Sequence, residues 1–144
     1  MEISSDKRQK HFILVHGVCH GAWIWYKLKP LLESAGGHRV TAVDLSASSI
    51  NTKSIHEIHT LEDYAEPLME LMAAIPADEK VILVGHSYGG YSLALAMETY
   101  PEKISVAVFV SALMPDAVHT PSYIGEKLLE LYPARETLDT QYLS

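Results

Sequence analysis

Apolar residues along the chain gather into four short runs, at residues 11–15, 38–44, 80–85 and 104–111, and longer amphipathic segments separate them. Each run is almost continuously apolar, the pattern of parallel strands covered by helices on both faces; a strand with one wet face would alternate instead. Short strand followed by longer helix, repeated, predicts βαβ units and a doubly wound α/β fold. Residues 25–34 carry apolar side chains at helical spacing and stop before Gly36 and Gly37, a pair suited to a left-handed cap. Residues 60–75 open on Thr60 with Asp63 three positions on, a capping box, and set Leu61, Tyr64, Leu68, Leu71 and Met72 along one stripe. Pro67 lies inside that stretch, has no amide hydrogen, and is expected to kink the helix or split it. Two further helical patterns cover residues 91–100 and 122–131. Residues 45–59, rich in Ser, Asn, Thr and His without a period, read as a loop of the kind that rims a pocket.

The third apolar run leads directly into Gly85-His86-Ser87-Tyr88-Gly89, and a helical pattern follows at once. A Gly-x-Ser-x-Gly at a strand-to-helix junction forces a sharp turn, strains the serine backbone and pushes its hydroxyl out of the fold. Ser87 is therefore the candidate nucleophile. Upstream, Phe12-Ile13-Leu14-Val15 ends in His16-Gly17-Val18, a turn whose backbone N–H groups can form an oxyanion hole. The two features together are far more specific than either alone.

A chain of 144 residues with 48% hydrophobic content suits one compact domain. Eleven Lys and Arg against 18 Asp and Glu give a net charge of −7 without a basic cluster, which argues against nucleic-acid binding. Residues 1–10 are polar and charged, unlike a secretory signal, and no apolar stretch approaches the ~18 residues of a membrane span, so a cytoplasmic setting is expected. Cys19 is the only cysteine, which excludes an internal disulfide; a structural place beside the oxyanion turn explains it.

A serine alcohol needs a histidine to accept its proton and an acid to orient that histidine. Downstream of Ser87 the chain offers Asp116, Asp139 and one histidine, His119. Asp116 and His119 are three residues apart in one loop, which leaves little room for acid and base to arrive from separate strand ends. The base is expected to be missing from this polypeptide, which then reads as the front part of a larger enzyme. The last strand would have an open outer edge, and self-association through it is expected. His86 should point away from the hydroxyl and serve structure or line the pocket. His16 and His20 straddle Gly17 in a turn rather than on a helix, so no metal site is expected. His56 and His59 read as solvent-exposed, Trp23 and Trp25 as core and pocket wall, and Ser111 as structural.

The segment His16-Gly17-Val18-Cys19-His20-Gly21-Ala22-Trp23, the run from Trp25-Tyr26-Lys27-Leu28 to Glu33, and Gly85-His86-Ser87 resemble the plant methylesterase and hydroxynitrile lyase family of α/β-hydrolases. The resemblance covers nearly the whole chain. It implies an α/β-hydrolase fold and hydrolysis, without a cofactor, of the methyl ester of a small apolar carboxylate such as salicylate, jasmonate, indole acetate or an alkaloid intermediate. It further implies an acyl-enzyme on Ser87, oxyanion donors at Val18 and Tyr88, and Gly17 and His86 at the substrate pocket. Lyase members carry Thr or Asn where this chain has Gly17, and a small residue leaves room for an ester carbonyl, so esterase is favoured over cyanohydrin cleavage. The family's acid and histidine, with most of its helical lid, would follow Ser144; residues 11–144 would then be a partial domain whose lid region starts near residue 115. A different reading is a non-catalytic remnant of this fold that binds a small ligand or pairs with a full-length relative.

Overall fold

The computed structural model describes residues 9–131. The chain divides into two compact units, Met1–Met114 and Pro115–Ser144. In the first, β1 (His11–Val15), β2 (Arg39–Val43), β3 (Val81–His86) and β4 (Ile104–Val110) form one parallel sheet in the order β2-β1-β3-β4. The connections hold α1 (Leu28–Gly36), α2 (Leu61–Ala74) and α3 (Gly89–Thr99). In the second unit, α4 (Tyr123–Leu131) follows a short turn.

The unbroken apolar strands have a simple cause. Ile13, Val15, Val81 and Leu83 project from one face into a core with Leu68 and Met72 of α2 and Leu93 and Ala96 of α3. Leu14 and Val84 project from the other face, where Trp25 is buried with them and Leu28 and Leu32 of α1 pack alongside. Alternate residues of β1 and β3 therefore face different helices, and neither face can be polar.

β4 departs from that expectation. Ile104, Ala107 and Phe109 pack on the α2–α3 side, but Val106, Val108 and Val110 are 50%, 40% and 42% exposed, so only one face is covered among the described residues. A register shift at Val81/Ile82 leaves Ser105 outside the pairing, with its hydroxyl donating to the Val81 carbonyl at 2.9 Å. That bulge is why Ile104 and Ala107, three positions apart, share a face.

The helices differ from the sequence pattern in their ends and in one proline. Residues 22–25 form a separate turn of 3₁₀ helix, so α1 begins at Leu28; Gly36 completes it and Gly37 alone takes the left-handed cap, at φ 63°. The expected capping box forms on α2: the Asp63 amide donates to Thr60 Oγ1 and the Thr60 amide to Asp63 Oδ2, both at 3.1 Å. Pro67 neither splits nor ends α2, which runs unbroken through it. Leu68 and Met72 are fully buried just beyond it; burying two such side chains stabilises by about 2 kcal/mol each, against about 3 kcal/mol for a proline inside a helix.

Removing that penalty should be measurable. Pro67→Ala is expected to raise the stability of the chain by about 2 kcal/mol, read as a higher urea midpoint at unchanged slope; an unchanged or lower midpoint would mean the helix has adapted to the ring.

Candidate active site

Ser87 sits between the end of β3 and the start of α3 with φ 54°, a left-handed conformation that a serine rarely adopts. Two amides fix it: Gly90 N–H and Leu113 N–H donate to the Ser87 carbonyl at 3.2 and 3.0 Å. The turn is tight because its neighbours lack side chains. A Cβ at Gly89 would lie 2.6 Å from the His16 carbonyl oxygen and 2.9 Å from that of Val15, so α3 starts in direct backbone contact with the end of β1. At Gly17 a Cβ would stand 2.8 Å from the Ser87 Cβ and 3.3 Å from its hydroxyl. The upstream turn and the serine, 70 residues apart in sequence, are thus in contact.

Around them, among the described residues, neither the Val18 nor the Tyr88 amide has a backbone acceptor. Both residues line a cavity of about 370 Å³ whose far wall is Ile55, Ile58, Leu61 and Tyr64. A second cavity of about 460 Å³ shares Val18, Ile55 and Tyr64 and extends between residues 18–23 and 46–49. The loop over residues 45–59 does border these spaces, and besides tight turns at its start it holds a turn of 3₁₀ helix, Ile55–Glu57, with a capping box between Ser54 and Glu57. Tyr64, which the periodicity placed in the helix stripe, is half-buried and meets Tyr88 edge-on at 6.1 Å. Only its tyrosine hydroxyl, superfluous in a core stripe, signalled that role.

The histidines separate by environment. His16 is fully buried; its Nε2 accepts from the Leu45 amide at 3.0 Å, which leaves Nδ1 to donate to the Gly17 carbonyl at 2.7 Å. Both nitrogens are engaged, so His16 joins the ends of β1 and β2 and offers no lone pair. Burial lowers its pKa below 6.5. His20 stacks on Trp23 at 5.6 Å and meets the His86 ring edge-on at 6.3 Å. His86, half-buried at the end of β3, has a buried Nδ1 without a partner among the described residues. The tryptophans are not equivalent: Trp25 is buried at 7% exposure, whereas Trp23 is 59% exposed and lines the second cavity instead of entering the core. Cys19 is exposed, with φ 60°.

Asp116 and His119 belong to the second unit and pair there at 2.7 Å on exposed side chains. Hydrogen bonds from the His119 amide and ring and from the Val118 amide pull the Asp116 carboxyl down to about 2. All of these partners lie within three residues, and the His119 ring stacks on Tyr123 at 3.9 Å. Asp139 lies outside the described residues, as does most of the polar N-terminal segment. Among the described residues no helix is long and apolar enough to cross a membrane.

A left-handed serine between a parallel strand and a helix, facing a glycine turn from the neighbouring strand, is the arrangement of an α/β-hydrolase. Residues 10–137 match the family model described as alpha/beta hydrolase fold, and the chain belongs to that family. It is 69% identical over 139 residues to polyneuridine aldehyde esterase of Rauvolfia serpentina, a span of 96% of this chain and 52% of that protein. It is 66% identical over 142 residues to norfluorocurarine synthase 1 of Strychnos nux-vomica, covering 98% of this chain and 53% of that protein. To methylesterase 2 of Arabidopsis thaliana it is 64% identical over 126 residues, 87% of this chain and 48% of that protein. The crystal structure of polyneuridine aldehyde esterase matches it with a TM-score of 0.89 at 69% identity, covering 93% of this chain and 52% of that one. The chain spans about half the length of the curated relatives it matches.

Two measurements follow from the geometry. A Gly17→Ala methyl group must displace the Ser87 side chain, so labelling of Ser87 by a fluorophosphonate should slow by at least about tenfold while the fold persists; equal labelling would show that the turn yields. Second, the unfolded chain protonates its imidazoles near 6.5, whereas buried His16, and His11 by the same desolvation, do so only at lower pH. Stability from these groups is complete above pH 6.5 and is lost as pH falls through the lowered folded values. The urea midpoint should therefore be flat just above pH 6.5 and decline below it; a midpoint that rises on acidification would contradict neutral, buried imidazoles.

Proposed function

We propose that this chain carries the nucleophile half of a serine carboxylesterase acting on the methyl ester of a small, largely apolar acid. The observation that carries the reading is the Ser87 hydroxyl held in a left-handed turn, 3.3 Å from where a Cβ on Gly17 would lie, beside the Val18 and Tyr88 amides, which have no backbone acceptor among the described residues. In this reading Ser87 Oγ attacks the ester carbonyl and gives its proton to a base. The carbonyl oxygen takes the negative charge between the Val18 and Tyr88 N–H groups, each worth about 3 kcal/mol in the transition state. Collapse expels methanol, which takes up the proton, and water then attacks the acyl-enzyme to release the acid and restore Ser87.

Among the described residues of the first unit no imidazole bonds the Ser87 hydroxyl, and His16, the buried imidazole in the adjoining turn, has both nitrogens engaged. We assign the base to a segment outside that unit. The similarity to polyneuridine aldehyde esterase and to methylesterase 2 supports an ester substrate, and the apolar walls around Val18, Ile55 and Leu61 support an apolar acid. Gly17 offers the carbonyl space that a Thr or Asn would fill, which favours ester cleavage over cyanohydrin cleavage. A second reading, a non-catalytic domain that pairs through the uncovered side of β4, draws on exposed Val106, Val108 and Val110.

Methanol release from a panel of small methyl esters, with Ser87→Ala in parallel, tests the reading. We expect labelling of Ser87 by a fluorophosphonate and its loss in Ser87→Ala by at least about a hundredfold, with methanol release by the parent chain weak or absent because the base is not supplied. Label on another residue with Ser87 untouched would reject it in favour of the binding domain, whereas Ser87 labelling with release equal in parent and variant would mark an incomplete esterase.

A further inference from the structure

The turn that carries the Val18 amide contains a left-handed residue that is not a glycine, Cys19 at φ 60°. Strain of that kind persists only where the surroundings impose it. Among the described residues no backbone amide reaches the Val18 carbonyl, and the hydrogen bond that bridges Cys19 comes from a side chain: His20 Nδ1 donates to the Val18 carbonyl oxygen at 2.7 Å. A carbonyl only accepts, so the ring nitrogen on that side carries the hydrogen. The imidazole thereby closes a small loop around the strained residue.

The ring is itself held. The Ala22 amide donates to Asp44 Oδ1 at 2.7 Å, which ties the start of the 3₁₀ turn at residues 22–25 to the residue after β2. Trp23 in that turn stacks on His20, with planes 26° apart, and the His86 ring meets His20 edge-on. At the other end of the segment, His16 is fixed by the Leu45 amide. Between these anchors lie Val18 and Gly17, whose backbone is the most permissive of any residue. The Gly17–Val18 and Val18–Cys19 peptides share the φ and ψ of Val18, and sterics allow few pairs of values there. Fixing the carbonyl of one peptide therefore restricts the direction of the N–H of the other.

We propose that His20 is the positioning residue of the oxyanion turn: its Nδ1–H holds the Val18 carbonyl so that the Val18 N–H stays turned to the oxygen that becomes charged when Ser87 attacks. This role rests on the esterase reading for what Val18 binds, and goes beyond it by naming the side chain that preorganises the donor. A donor fixed beforehand costs no reorganisation when the charge develops. What the position needs is a hydrogen-bond donor, neither a charge nor a base. Asparagine, whose side-chain amide N–H reaches about as far as imidazole Nδ1–H, supplies the same bond; phenylalanine keeps a ring against Trp23 and has no donor.

His20→Phe and His20→Asn are compared with the parent, each as the full chain, by saturation kinetics of fluorophosphonate labelling at Ser87 and by NMR. In labelling, Ser87 Oγ bonds to phosphorus, fluoride leaves, and the phosphoryl oxygen gathers charge where the ester oxygen would. His20→Phe should lower the limiting labelling rate about tenfold and leave the half-saturating concentration within about twofold, while His20→Asn stays within about threefold of the parent rate. The ring nitrogen signals of His20 in the parent should report the Nδ1–H tautomer. The Val18 and Cys19 amides should be rigid by heteronuclear NOE in the parent and in His20→Asn, and mobile in His20→Phe. Equal limiting rates in the parent and His20→Phe, an asparagine variant as slow as the phenylalanine one, a loss confined to half-saturation, or an Nε2–H tautomer would each overturn the proposal. A parent left unlabelled at Ser87 would reject the esterase reading instead; the tautomer and amide order described would then keep the hold of His20 on the turn, and their absence would overturn it.

Discussion

The backbone contact between the start of α3 and the end of β1 is what the rest of the site depends on. Any side chain at Gly89 would collide with the carbonyls of Val15 and His16. α3 would then lift from the sheet, and the left-handed turn at Ser87 would lose the surface that holds it. With glycine there, the helix settles directly on the strand, and the amides of Gly90 and Leu113 both reach the Ser87 carbonyl. Strain in one residue is thus offset by contacts drawn from β1, α3 and the segment after β4. The serine and the Gly17 turn meet as a by-product of the same approach.

His16 extends this arrangement sideways. Its ring bridges the Gly17 carbonyl at the end of β1 and the Leu45 amide at the end of β2, so the loops that leave those two strands start from one fixed point. The space between residues 18–23 and 46–49 follows from that anchoring. Burial keeps the imidazole neutral, which is the state that can accept from Leu45 and donate to Gly17 together. A histidine beside a catalytic turn invites a reading as a base or a metal ligand, yet here it is a bracket.

The Asp116–His119 pair teaches a related point. Three-residue spacing of an acid and an imidazole is also the spacing of a local turn, and among the described residues the carboxylate takes its hydrogen bonds from Val118 and His119. The depressed Asp116 pKa records that local saturation. A perturbed acid becomes informative about catalysis when its partners come from distant parts of the chain.

Four strands, the serine turn, the Thr60–Asp63 box and the approximate ends of the helices were legible in the sequence, because each reports what a residue does to its own backbone or to a neighbour three or four positions away. What the sequence left undecided, or gave wrongly, concerns contacts between distant segments. Trp23 and Trp25 look alike in the chain, but only Trp25 faces Leu14 and Val84. Pro67 reads as a break until Leu68 and Met72 are buried against the sheet. β4 matches its neighbours in composition, yet which of its faces is covered depends on which helices reach it, and that is decided by sheet order. Local periodicity and turn chemistry determined the elements; the meeting of chain segments tens of residues apart decided which side chains are buried, paired or left to bind something else.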